Sequence, residues 1–166
     1  MTLSDILWLV GLAAGFILLE RLMPHEQAQP VLRRGWRTDL LHMLVNGPVI
    51  RLFLIGIAVA ASMAGATLLP SGWVTAIRAQ PAWVQYLEIL LIAELGIYAA
   101  HRAAHAVPAL WRLHAVHHSS TQLDWAVTYR VHPLEQILFA GPALAVTIAL
   151  GFETGPLIAY GIFYRI

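Results

Sequence analysis

The chain contains no cysteine. Disulfides, thiolate zinc sites and iron–sulfur clusters are therefore excluded. Lysine is absent as well, so all ten basic residues are arginine. Charge of either sign is scarce, at 11% of 166 residues with a net +1. No basic run interleaves with aromatic residues, which argues against a nucleic-acid partner. What is abundant is apolar: 59% of the residues are hydrophobic and the mean hydropathy is +0.69. The length suits one ordinary domain, and the composition is that of an integral membrane protein.

Leu3 to Met23 is apolar over about 20 residues, the length of a spanning helix. It lacks the basic start and small-residue cleavage site of a signal peptide. The connector 24–38, PHEQAQPVLRRGWRT, holds Arg33, Arg34 and Arg37 and is the most basic loop, expected to act as a cytoplasmic anchor. Leu40 to Leu69 carries His42, Asn46, Gly47-Pro48 and Arg51. The Gly-Pro pair predicts either a kinked span or two short segments in a hairpin. Residues 70–82 are expected to form a short loop, with Trp73 and Trp83 as interfacial anchors. Further apolar segments run from Pro81 to Ala106, from Ile137 to Leu150 with a Gly141-Pro142 interruption, and from Leu157 to Ile166.

The expected fold class is all-α: a polytopic integral membrane helical bundle of about four spanning segments plus a partial fifth. Loop charges place the N-terminus outside and the 101–118 region at the cytoplasmic helix ends, a multi-pass arrangement expected in a bacterial inner membrane.

One stretch concentrates the chemistry. Glu94 to His118 reads ELGIYAAHRAAHAVPALWRLHAVHH, and five of the eight histidines lie in it. His101 and His105 are four apart; His114, His117 and His118 are spaced three and four apart. Residues at these separations share a helix face, so each set aims its imidazoles broadly one way. A metal ion needs such convergent neutral nitrogens. The plain alternative, satisfied packing histidines, fits five in register poorly, because unpartnered imidazoles in an apolar helix are costly. Glu94 lies two turns before His101 on nearly the same face, and Tyr98 lies three before it. Either an interhelix contact or a carboxylate that orients a ligand imidazole fits Glu94. His132 precedes Pro133-Leu134-Glu135, where it reads as a helix cap, with an extra ligand as the other reading. Glu135 reads as an acid favoured by the helix dipole.

HRAAH (101–105) followed by LWRLHAVHHSS (110–120) resembles the first two histidine boxes, HxxxH and HxxHH, of the fatty acid hydroxylase/sterol desaturase superfamily. RVHPLE (130–135) and the aromatic approach to the first box resemble its bacterial sterol-desaturase-like branch, over roughly residues 88–140. The resemblance implies a membrane-bound non-haem di-iron oxidoreductase that hydroxylates or desaturates lipid C–H bonds with O2. Its partners would be a lipid substrate, the membrane and an electron donor protein. By position, His101, His105, His114, His117 and His118 would be iron ligands, with His132, Glu94 and Tyr98 as second-layer or extra contacts.

The family carries a third histidine box, whereas no histidine follows His132 here. Residues 1–80 are thus read as N-terminal membrane helices, and 81–166 as the N-terminal part of a hydroxylase-type domain. The expectation is that this chain alone does not complete a two-iron centre and is inactive alone. Its rivals are a non-catalytic truncated membrane protein or pseudoenzyme with a partial metal site, and a haem or metal carrier.

Overall fold

The computed structural model describes residues 3–24, 30 and 32–164. Among these there are seven α-helices and no strand: α1 (Leu3–Leu22), α2 (Trp36–Leu68), α3 (Ser71–Arg78), α4 (Ala82–Ala106), α5 (Pro108–His114), α6 (Pro133–Ala149) and α7 (Thr154–Phe163). Two short 3₁₀ turns, His117–Ser119 and Trp125–Tyr129, lie between α5 and α6.

Proline places several of the boundaries. Val107 is extended ahead of Pro108, as the ring demands of the preceding residue, and α4 ends there. Pro108 and Pro133 each occupy a first helical turn, where the missing amide costs nothing. Gly35 enters α2 at φ 93°, and a side chain there would meet the Arg130 guanidinium at 2.7 Å. This is a turn only glycine enters without strain.

Three expectations change. α2 runs without a break through Gly47-Pro48 for 33 residues, so the hairpin alternative falls. Pro48 removes one bond, to the Leu44 carbonyl, but Leu44 is exposed and the rest of the ladder carries the helix on. α6 likewise runs through Gly141-Pro142. The expected 70–82 loop is largely helix: α3 covers Ser71–Arg78, begun by Pro70. Its Val74 packs on Gly151, and Arg78 Nε donates to the Gly151 carbonyl at 3.0 Å, a tertiary contact that short-range sequence does not display.

The helices pack through small residues. A methyl on Gly65 of α2 would lie 2.3 Å from the Ala149 carbonyl oxygen of α6, and one on Gly96 of α4 would lie 3.2 Å from the Ala143 side chain of α6. Such close backbones are how helices gain contact without a water-driven hydrophobic force. The large apolar side chains face out instead. On α2 these are Leu52, Phe53, Ile55, Val59 and Met63; on α4 they are Leu87, Leu91 and Leu95. α2 and α4 are long and apolar enough to cross a membrane, and only 11% and 17% of their apolar windows are buried. A soluble core helix shows the opposite distribution.

Polar side chains are buried at one end of the bundle. Arg33 donates to Asp39 at 2.5 Å and to Asp124 at 2.7 Å, and Arg130 donates to Asp39 and to the Gly35 carbonyl. Arg33 and Asp39 are almost fully buried. This corrects the reading of Arg33 as part of an exposed cytoplasmic anchor; Arg34 and Arg37 are the exposed members of that loop. A guanidinium this dry needs anions, and two carboxylates supply them. Burial lowers the Arg33 pKa, but its contacts with Asp124 and Asp39 outweigh this and raise it. Beside this network, Asn46 Nδ2 donates to the Val131 carbonyl at 2.6 Å, and His42 Nδ1 lies 3.1 Å from the same oxygen. The start of α6 is thus held by side chains of α2.

Candidate metal centre

α4 delivers His101 and His105 on its last turns. The extended Val107 and Pro108 then turn the chain into α5, whose last residue is His114. The result is a compact group: one nitrogen from each of His101, His105, His114 and His118 lies within 4.8 Å of the others. His105 Nε2 is 3.1 Å from His101 Nε2 and 3.1 Å from His114 Nε2, and His118 Nε2 is 3.0 Å from His114 Nε2.

These distances carry a chemical message. An imidazole nitrogen has one in-plane position, filled by a proton or by a lone pair. His105 Nε2 and His114 Nε2 each face two neighbours at hydrogen-bond distance. One position cannot align with both, since hydrogen bonds weaken steeply away from linearity. A cation among the four nitrogens accepts every lone pair at once. Four imidazoles form a borderline-soft nitrogen set that suits iron, zinc or copper. The residues therefore fit a metal.

His114 anchors the group. It is 1% exposed, and its Nδ1 lies 2.7 Å from Oε1 of Glu135, itself 4% exposed. Phe139, one turn further along α6, lies 5.7 Å from the His114 ring and 6.0 Å from the His101 ring, measured between centroids. Trp111 stacks on His118 at 5.5 Å. His118 is exposed, yet desolvation by its neighbours lowers its pKa, and the adjoining His114 and His117 rings lower it further.

The other sequence-derived residues lie apart from the four nitrogens. The helix begun at Pro108 stops at His114, and the chain resumes as a 3₁₀ turn at His117, which breaks the shared helical face expected of His114, His117 and His118. The His117 ring stacks on His114 at 5.7 Å, and its Nδ1 is buried with no hydrogen-bond partner among the described residues. His132 caps α6, its Nδ1 accepting from the Leu134 amide. Glu94 accepts a hydrogen bond from the Tyr160 hydroxyl at 3.4 Å, and Tyr98 is 61% exposed among outward apolar residues of α4. The carboxylate that meets the histidine group is that of Glu135. Sequence reasoning gave it only a helix-dipole role, because its partner is 21 residues away and brought near by the turns between.

Residues 86–166 match the fatty acid hydroxylase family model. Over these 81 of its 166 residues the chain is similar to the fatty acid hydroxylase/sterol desaturase superfamily. Among curated proteins it is similar to ornithine lipid hydroxylase OlsE of Rhizobium tropici, with 33% identity over 135 residues. That alignment covers 72% of this chain and 37% of the relative, so the chain spans little more than a third of the relative's length. It takes in more of the chain than the family match does, and so reaches into the helices before α4. No solved structure matches the chain.

Proposed function

We propose that this chain forms the metal-bearing part of a membrane-embedded lipid hydroxylase. The observation that carries the reading is the group of four histidine nitrogens at one end of an outwardly apolar helix bundle. His101, His105, His114 and His118 would hold the metal, and by family that metal is iron. Iron bound there would supply the O2 chemistry that an unactivated C–H bond requires.

The protein's own residues do the rest. Glu135 Oε1 lies 2.7 Å from Nδ1 of His114 on the buried side. Phe139 and Trp111 border the group with aromatic rings. The Leu87–Leu91–Leu95 face of α4 leads along the bilayer toward the histidines, a path an acyl chain can follow. In the net reaction one oxygen atom enters the C–H bond. The other leaves as water, with two electrons and two protons from a donor protein. The relative's name points to an amino-acid-headgroup lipid as the substrate class.

We read α2 and α4 as full spans and α6, at 17 residues, as one at the short end of spanning length. Arg34, Arg37, Arg102 and Arg112 are exposed on the chain segments at the histidine end, which supports reading that end as cytoplasmic under the positive-inside rule. The four converging nitrogens account for one metal ion. A second ion, as the family resemblance implies, would need donors beyond these four.

The test is the lipid profile of the native membranes with the chromosomal copy changed to His114→Ala. A lipid species that loses one oxygen atom in the variant supports the reading. An unchanged profile, with the variant protein present at wild-type level, refutes it.

A further inference from the structure

Burial leaves Glu135 few uses. Its side chain sits in the first turn of α6, 4% exposed, with Oε1 at 2.7 Å from His114 Nδ1 and Oε2 buried without a hydrogen-bond partner among the described residues. The buried guanidinium groups of Arg33 and Arg130 are engaged with Asp39 and Asp124. A carboxylate in so dry a place needs a donor, and among the described residues the group at hydrogen-bond distance from it is the imidazole of His114.

We infer that Glu135 is the positioning residue of the centre: its carboxylate holds His114 as the Nδ1–H tautomer and turns the Nε2 lone pair toward His101, His105 and His118. The inference rests on the metal reading above and adds to it a residue outside the histidine boxes. Three features converge on it. A neutral imidazole protonated on one nitrogen presents a lone pair on the other, so a fixed acceptor at Nδ1 dictates which nitrogen can ligate. The short contact is shielded from water on both sides, where an ionic hydrogen bond is strongest. The backbone that carries Glu135 is fixed as well. Pro133 sets the first turn of α6, and the preceding Val131 carbonyl accepts from Asn46. Glu135 thus has little freedom to follow a wandering imidazole; the ring must come to it. His114 is also the most buried of the four histidines and faces two of the others, so its orientation sets the pocket.

The experiment uses the full chain in detergent micelles at pH 8, with two readouts. The first is side-chain nitrogen NMR of the metal-free protein, which reports the His114 tautomer. The second is cobalt(II) titration followed by its visible absorption. Wild type is expected to show the Nδ1–H form of His114. Glu135→Leu is expected to move the proton to Nε2 and to weaken cobalt binding by about 10- to 100-fold. Glu135→Gln, whose amide oxygen still accepts, should keep the tautomer and fall between the two in affinity. If Glu135→Leu does not fold by circular dichroism, Glu135→Gln decides: wild-type affinity in that folded isostere overturns the inference. It is also overturned if both variants keep the wild-type tautomer and affinity. If wild type binds no cobalt, the metal reading falls; a tautomer shift in Glu135→Leu then still supports the hold of Glu135 on His114, and no shift overturns it.

Discussion

Replacing Asp39 by alanine removes the carboxylate shared by Arg33 and Arg130. Asp39 is 1% exposed, Arg33 is fully buried and Arg130 is 8% exposed, so water cannot restore what is lost. Arg33 keeps Asp124, but Arg130 is left with the Gly35 carbonyl as its remaining named acceptor. Breaking one partner out of a buried pair costs about 3–5 kcal/mol, most of it from the charge left uncompensated. For a domain of this size that corresponds to a fall in midpoint of about 6–20 °C. The assay is thermal unfolding in one fixed detergent, followed by helix content. Asp39→Asn keeps hydrogen-bond acceptance and should lose less. Combining Asp39→Ala with Arg130→Met removes both charges, and its loss should be clearly smaller than the sum of the single losses. A shift of under about 2 °C for Asp39→Ala, or strict additivity of the pair, would refute the claim that Asp39 neutralises these buried guanidinium groups.

Gly65→Ala puts a methyl against the Ala149 carbonyl and should destabilise by about 1–3 kcal/mol, whereas Gly56→Ala, which meets open space, should not; paired unfolding curves compare them. Asn46→Leu removes a donor from the Val131 carbonyl, costs about 1–3 kcal/mol, and should raise proteolytic cutting between residues 119 and 132. The folded His118 pKa lies below its ordinary 6.5. Between the two values the unfolded chain binds more protons, so its contribution is full above pH 6.5 and is lost as pH falls through the folded value. Metal-free protein should therefore lose stability on acidification below that pH, and His118→Gln should flatten the slope of the unfolding midpoint against pH.

Much of the site was legible because helices turn spacing into direction. His101 and His105 lie on one continuous helix, so a four-residue separation sufficed. Past Pro108 the rule weakened: the 3₁₀ turn at His117–Ser119 kept His118 in the group and turned His117 against His114. Glu135 was not legible, because its meeting with His114 depends on two 3₁₀ turns and an α6 start pinned from α2. The Arg33 and Arg130 pairs were hidden for the same reason, their carboxylates lying up to 91 residues away. α2 and α4, as apolar helices of spanning length, were visible in composition alone, whereas α3 was missed because its contact with Gly151 is distant in sequence. Gly-Pro pairs were read too strongly: within apolar helices of 33 and 17 residues, one lost bond does not end the helix.

The most direct test of the central claim is elemental analysis of the protein extracted from its native membranes, wild type beside His114→Ala and His117→Ala. The account predicts that His114→Ala loses one metal ion per chain relative to wild type, while His117→Ala keeps that ion. Wild-type protein free of stoichiometric metal, or equal metal in wild type and His114→Ala, would contradict it.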